Sequence, residues 1–378
     1  MRILFVISGL GLGGAERQVV LLAKQFARIG HGVAIYALTP HTPRADEIAG
    51  TQIELVIDRK RMRLDLGVLF RLRRHISRWR PDVVHAFLFD GSIYARLACA
   101  GTGIPMLDSE RSDNYSLSAL QAVANRLTAG LLDGVVANSH AGAAFAHRLH
   151  RTPPEHVHVV WNGIDVAEID GRMASAPQLA SEIWPGHELR RACVVGSIWP
   201  AKDYPLALGT FRCLLDADPD WRLICVGDEL PEGRSSDHKA LVLAERRRLN
   251  LEPYIKFVGH RRDVLEMIAS CDVLLVTSRH EGFPNVVLEA MSCGTPVAST
   301  DYSDVRRILP MAWQVVASRN PAELAAAVVR CCTERREVVA AQRQWVLRYA
   351  TASASASAML SVYARYVNRA STESRVLR

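Results

Sequence analysis

Twice along this chain, short runs of consecutive apolar residues alternate with stretches whose apolar residues recur every three or four positions. The first series has runs at 3–7, 33–38, 83–87, 106–107 and 135–137; the second has runs at 192–195, 223–226, 255–258, 273–276 and 296–298. Between them, 16–29, 66–79, 204–215 and 285–291 carry helical periodicity, as in Leu69, Leu72, Ile76 and Trp79 on one face. Strands apolar on both faces, alternating with amphipathic helices, specify a parallel sheet covered on both sides. A chain of 378 residues is also too long for one core of ordinary size. The expectation is an α/β protein of two doubly wound, Rossmann-like domains facing across a cleft. Their expected extents are 1–170 and 171–345, followed by a helical tail over 346–378. Segment 167–191, rich in Ala, Ser and Pro with weak periodicity, reads as the linker. Segment 350–358 alternates Ala and Ser, then turns amphipathic toward Val367, and is compatible with a helix.

Composition narrows the setting. No stretch approaches the roughly 18 apolar residues that a membrane span needs. The short N-terminal apolar run is Gly-rich and followed at once by Glu16 and Arg17, unlike a secretory leader. The eight cysteines form no C-x-x-C pair, so reduced, mostly buried thiols are expected rather than a zinc site. These features place the protein in the cytoplasm. Its net charge of +7 is concentrated: Arg59, Lys60, Arg61, Arg63, Arg71, Arg73, Arg74, Arg78 and Arg80 face only Asp65 in their window. A nucleic-acid binder carries a broader basic surface interleaved with aromatics. One local cluster suits an anionic membrane surface, against the plainer reading of a solvated helix face.

The opening reads MRILFVISGLGLGGAERQ, with a literal G-x-G-x-x-G over 9–14. A dinucleotide fold also needs a carboxylate after the second strand to hold the ribose. Leu38, Thr39 and Pro40 stand there instead, which ranks a dehydrogenase last. Gly13 and Gly14 precede a helix directly, so their backbone N–H groups suit an anion at a helix N-terminus.

The phrase RHEGFPNVVLEAMSCGTPVAST carries more. Glu281 follows a strand and lies in a loop. Asn285 stands where a helix cap belongs, and Glu289 sits one turn into that helix, which Gly294 and Pro296 end. Backbone N–H groups from Gly282 through Val287, including those of Phe283 and Val286, can point between the two carboxylates. Carboxylates take sugar hydroxyls and a helix mouth takes phosphate, so a nucleotide sugar fits.

The phrase resembles the E-x7-E signature of retaining glycosyltransferase family 4, the GT-B-fold glycosyl transferases group 1. Further matches fall in order along nearly the whole chain: GGAE at 13–16, PDVVHAF at 81–87, ANS at 137–139, NGID at 162–165, VGSIWPAKDY at 195–204, VGD at 226–228 and KFVGHRRDV at 256–264. The resemblance implies roles. Glu281 contacts the transferred sugar, Glu289 the nucleotide ribose and Lys202 the diphosphate. His85 faces the reacting centre from the N-terminal domain. Gly13 and Gly14 lie near the phosphates, and Val258, Gly259 and His260 border the base. Glu16, Ser109, Glu110, Arg111 and Asp113 are expected near the acceptor. That acceptor is a saccharide or lipid-linked saccharide of cell-surface polysaccharide or glycolipid synthesis, used at the inner face of the cytoplasmic membrane. The family also implies a C-terminal helix crossing back to the N-terminal domain, retention of anomeric configuration, metal independence and no cofactor beyond the nucleotide-sugar co-substrate.

Two positions depart from the family pattern. Ser197 stands where many members have an Arg beside the diphosphate, with Arg261 and Arg262 as conceivable helpers, and Glu229 replaces a glycine after VGD. The one D-x-D near a strand, Asp216-Ala217-Asp218, reads as a polar turn rather than a metal ligand. Two alternatives remain beside the transferase: an epimerase-like enzyme acting on nucleotide sugars, and a non-catalytic nucleotide- or saccharide-binding scaffold.

Overall fold

The computed structural model describes residues 1–62, 64–112, 117–174, 179–229 and 236–376, without the side chains of 236 and 371–376. Arg63 and Asp113, both singled out above, lie outside the described residues. The chain divides into two compact units: Met1–Gly163 with Ala350–Arg378, and Ile164–Tyr349.

The first unit is built on a seven-stranded sheet of order β3-β2-β1-β4-β5-β6-β7. Its strands are β1 (Arg2–Ile7), β2 (Gly32–Ala37), β3 (Glu54–Ile57), β4 (Val83–Phe87), β5 (Met106–Glu110), β6 (Gly134–Ala137) and β7 (Val157–Val159). Every pairing is parallel, with Phe5 opposite Ile35 on one side and His85 on the other. Parallel pairing requires a crossover after each strand. The helices α1 (Gly14–Arg28), α2 (Leu66–Trp79), α3 (Leu88–Cys99) and α4 (Ala119–Thr128) provide several of these. Asp65 caps α2 by accepting a hydrogen bond from the Val68 N–H. Ser118 and Gln121 close α4 with a reciprocal capping box.

The C-terminal helix Ala352–Val376 packs on α1, and its Met359, Val362, Tyr363 and Tyr366 join the core formed by Ile3, Phe5, Phe26 and Phe87. Gly91 of α3 makes a close approach possible: a Cβ there would stand 2.8 Å from the Val6 carbonyl oxygen.

The second unit has a six-stranded parallel sheet of order β10-β9-β8-β11-β12-β13. Its strands are β8 (Arg190–Val195), β9 (Trp221–Val226), β10 (Ile255–Phe257), β11 (Val273–Val276), β12 (Val297–Thr300) and β13 (Val315–Val316). Trp221, Tyr204, Phe211 and Leu324 fill its core. The eight cysteines are free thiols, five buried and three partly so.

Two expectations change. Segment 167–191 is not a linker but part of the second unit. It holds the helices Val166–Met173 and Leu179–Ile183 and the start of β8. Asp165 caps the first of these helices, and Arg172 grips Glu266 through two hydrogen bonds of 2.8 and 2.7 Å. The units divide at Gly163/Ile164 and Tyr349/Ala350, several residues from the boundaries at 170/171 and 345/346. Strands β3, β7 and β13 were not expected; all three are short and lie at or beside sheet edges.

Candidate functional site

In an open parallel sheet, ligands bind outside the carboxyl ends of the strands where the strand order reverses. In the second unit that point lies between β8 and β11. The loop after β8 delivers Lys202 and the loop after β11 delivers Glu281, and the two meet: Lys202 Nζ stands 2.8 Å from Glu281 Oε1. The Ser278 hydroxyl also donates to Glu281 Oε1.

Glycine makes room for this pair. The Lys202 stem lies across Gly196, where a Cβ would meet Lys202 Cε at 2.7 Å. Gly227, after β9, has φ +129°, and a Cβ there would fall 2.2 Å from the Gly196 carbonyl oxygen. Its N–H donates to the Gly259 carbonyl at 2.8 Å, which ties the loops after β9 and β10 together. Ser197, Gly259 and the exposed His260 therefore lie on the same sheet edge as Lys202.

The base beneath this pair is cross-linked. Thr277 Oγ1 donates to the Lys202 carbonyl, and Arg319 donates to the carbonyls of Thr277 and Ser278. Asp203, buried and at φ +47°, takes both Arg319 at 2.5 Å and Arg279 at 2.7 Å. Arg279 and Arg319 are thus the guanidinium groups beside Lys202, where Ser197 replaces the expected Arg. Arg261 is instead held by Asp263 at 2.6 Å. Asp203, Ser278, Arg279 and Arg319 were not singled out from sequence. Arg279 opens the RHEGFPN phrase, but no sequence signal identified Arg319, about forty positions away.

The helix Asn285–Cys293 starts at this edge. Its N-cap position is Pro284, without a side-chain cap, and Asn285 is the first helical residue. This corrects the expected cap. The Asn285 and Val287 N–H groups bond to the carbonyls of Phe283 and Pro284, so not all the N–H groups from Gly282 to Val287 point outward. Phe283 and Val286 are buried, and the Gly282 carbonyl accepts from Ser303 Oγ. Glu289 lies on the helix, 9 % exposed. The Lys239 ammonium beside Asp228, in the loop after β9, holds that carboxyl below its ordinary range. Asp216 and Asp218 are occupied by Arg212 and Arg190. Among the described residues, no three His, Cys, Asp or Glu side chains group as a metal site requires.

In the first unit the strand order reverses between β1 and β4. The glycine loop after β1 is tied down by Arg44, which donates to the carbonyls of Gly11 and Leu12. Gly13 caps α1, and the Glu16 carboxylate folds back over the loop, 2.5 Å from where a Gly13 Cβ would stand. The chain's own carboxylate thus lies against the loop expected to hold phosphate. Beyond β4, Leu88 has φ +65°, a costly conformation for a residue with a Cβ. Arg111, after β5, lies over the Phe87 ring and donates to Ser109 Oγ and Asn162 Oδ1. Burial pulls the Arg111 guanidinium down to about 10, which leaves it charged at neutral pH. Glu110 is buried and accepts from the N–H groups of Arg111 and Ser112.

His85, expected to face the reacting centre, lies fully buried in the core of the first unit. Strand β4 runs two residues past it, and its side chain points into the core toward the C-terminal helix, with Nδ1 2.6 Å from the Tyr363 hydroxyl. It is fully buried, and desolvation holds its pKa well below the ordinary 6.5. The strand's extent, 83–87, is the one expected from sequence, but His85 lies two residues inside its carboxyl end with its side chain turned into the core.

The basic window is partly consumed within the fold. Arg71 chelates Asp58, Arg73 donates to the carbonyls of Ala98 and Ala100, and Lys60 pairs with Asp90. Arg59, Arg61, Arg74, Arg78 and Arg80 are exposed.

Two doubly wound units, each with polar residues gathered at its strand-order reversal, define a protein of GT-B architecture. The pattern of Glycosyltransferase Family 4 matches residues 12–168, and that of the Glycosyl transferases group 1 matches residues 190–334. The chain belongs to this family of glycosyltransferases. It is 29 % identical over 176 residues to D-inositol 3-phosphate glycosyltransferase of Jonesia denitrificans, a match spanning 44 % of this chain and 40 % of that one. It is 27 % identical over 335 residues to GDP-mannose-dependent alpha-mannosyltransferase of Mycobacterium tuberculosis, covering 79 % of this chain and 78 % of that one. Among solved structures, HepE of Anabaena in complex with UDP superposes with a TM-score of 0.78 at 18 % identity, over 98 % of this chain and all of that one. No described helix is long and apolar enough to cross a membrane.

Proposed function

We propose that the protein transfers a sugar from a nucleoside-diphosphate sugar to a saccharide or lipid-linked saccharide, with retention of anomeric configuration and without a metal ion. The observation that carries this reading is the Lys202–Glu281 pair at the β8/β11 reversal point, on a floor stripped to glycine. An ammonium and a carboxylate in contact, both partly accessible, are a pair that a donor can separate. Its diphosphate takes Lys202, and its sugar hydroxyls take Glu281. The ribose goes to Glu289, and the base lies along Gly259 and His260.

In the reaction, the bond from the anomeric carbon to the phosphate oxygen breaks and its electron pair stays on the diphosphate. Lys202 stabilises that growing charge electrostatically. The acceptor hydroxyl bonds to the anomeric carbon on the face the diphosphate leaves, and its proton passes to the departing phosphate oxygen. No carboxylate nucleophile is required. In the first unit, Ser109, Glu110 and Arg111 orient the acceptor, and the exposed arginines of the 59–80 window favour an anionic membrane surface. A relative named as a GDP-mannose-dependent mannosyltransferase and a solved structure in complex with UDP support a nucleotide donor without fixing the base for this chain.

The test is a thermal-shift panel with UDP, GDP, ADP and NAD on the wild type and on Glu289→Ala. A ligand at about 100 times its dissociation constant adds roughly 2.7 kcal/mol. A shift with one nucleoside diphosphate, lost in the variant, is expected. A shift with NAD alone would refute the transferase reading.

A further inference from the structure

Helix α4 is inside out. Its buried residues are polar: Asn125 and Thr128 are 5 % and 6 % exposed. Both face the fully buried Arg96, whose Nη1 donates to Asn125 Oδ1 at 2.9 Å and to Thr128 Oγ1 at 3.3 Å. Arg96 is in turn paired with buried Asp108. Its apolar residues face outward: Leu120 is 64 % exposed, Val123 54 %, Leu127 78 % and, one turn on, Leu131 37 %. Spacings of three and four place these side chains in one stripe. The Arg96 network fixes the helix in this orientation, since turning it over would bury the stripe and leave a buried guanidinium without its partners.

Charge around the stripe selects what covers it. Between Ser118 and Pro153, Asp133 is the sole acidic residue, against Arg126, Arg148 and Arg151. All three arginines are exposed, and all three line a cavity of about 1070 Å³ beside α4, at the amino ends of β5, β6 and β7. That edge is opposite the one that carries Glu110 and Arg111. Helix α3 packs on both α4 and α2, so the exposed Leu66 and Phe70 of α2 belong to the same helical layer. Apolar side chains projecting from a basic surround match the two parts of an anionic lipid leaflet.

We propose that α4 docks the protein on anionic phospholipid: Leu120, Val123, Leu127 and Leu131 enter the acyl boundary, and Arg126, Arg148 and Arg151 meet the headgroup phosphates. This deepens the membrane reading given above and rests on it for its purpose, while its test reads vesicle binding without any donor.

The full-length protein is floated with vesicles of phosphatidylcholine alone or with phosphatidylglycerol at low salt. Binding is expected only with the anionic lipid. Replacing Leu120, Val123 and Leu127 by Ser is expected to weaken the partition more than about tenfold, given the cost of each lost methylene contact. Each Arg→Glu change at 126, 148 or 151 is expected to weaken it on the order of fivefold or more. The nucleotide-induced thermal shift should survive in every variant, which separates failure of this proposal from failure of the donor site. Hydrogen exchange of the wild type over 117–131 should slow on adding anionic vesicles, a readout independent of any variant's folding. Unchanged flotation of the Leu/Val→Ser variant, or unchanged exchange over 117–131, overturns the proposal. So does a wild-type dimer that this variant makes monomeric, because a second copy would then cover the stripe.

Discussion

If the Lys202–Glu281 pair is the lock that a donor opens, its two halves respond to mutation with opposite signs. In the free protein, Glu281 competes with phosphate for the Lys202 ammonium. The partners stand 2.8 Å apart, with side chains 22 % and 17 % exposed. Charge-assisted hydrogen bonds of this kind contribute about 1.5–3 kcal/mol, less when partly solvated. Glu281→Gln removes the competing charge while keeping an oxygen for Ser278. Binding of a nucleoside diphosphate lacking the sugar is then expected to tighten by about 1–2 kcal/mol, roughly five- to thirtyfold. Lys202→Met removes the cation and is expected to weaken the same binding roughly ten- to 150-fold.

Because Glu281 acts on the diphosphate through Lys202, the double variant should bind like Lys202→Met alone. That non-additivity marks direct coupling. Sugar transfer should fall in both single variants, since Glu281 also holds the sugar. Isothermal titration of the preferred diphosphate into the four proteins at one salt concentration reads all of this. Weaker diphosphate binding by Glu281→Gln, or additive effects in the double variant, would refute the competition and remove the pair from the diphosphate site.

Two more predictions concern the scaffold. Gly227→Ala places a Cβ 2.2 Å from the Gly196 carbonyl oxygen at φ +129°. A loss of about 3 kcal/mol is expected, lowering the melting temperature by roughly 6–12 °C and abolishing nucleotide binding. Gly171→Ala, in a helix with nothing within 4 Å, is the control and should not destabilise. For His85, a folded-state pKa well below the ordinary 6.5 means that the unfolded chain binds the proton more readily. Stability is therefore full above about pH 6.5 and is lost as pH falls below it, at up to about 1.4 kcal/mol per pH unit for this group. His31, His75 and His158 are lowered too and act in the same direction. Denaturant melts of wild type and His85→Phe between pH 5 and pH 7 check this; a slope unchanged in the variant would show that His85 is not the group responsible.

The sheets were legible in the sequence because a strand buried on both faces has to be apolar throughout. ILFVI, VVHAF and VLLV admit no other reading between amphipathic helices. The Lys202 and Glu281 loops were legible for a related reason: glycine and proline punctuate the ends of such strands, and chemistry collects there. Contacts made across the fold were less so. His85 has the same sequence context whether its side chain turns toward the strand's carboxyl edge or into the core, and the hydrogen bond to Tyr363, 278 residues away, shows that it turns inward. Arg319 reaches the Thr277 and Ser278 carbonyls from beyond two further strands.

Helix α4 shows where periodicity stops short. Leu120, Val123 and Leu127 have the spacing of a face turned toward a core, and by pattern alone that is where they belong. Arg96 reverses this, because a buried guanidinium needs oxygens more than the core needs three more aliphatic side chains. Asn125 and Thr128 supply those oxygens, so the apolar side of α4 is carried outward. Periodicity identifies that a helix has two faces; the polar groups already buried beneath it decide which one turns in. The apolar face left outside is then a surface that function, rather than folding, must account for.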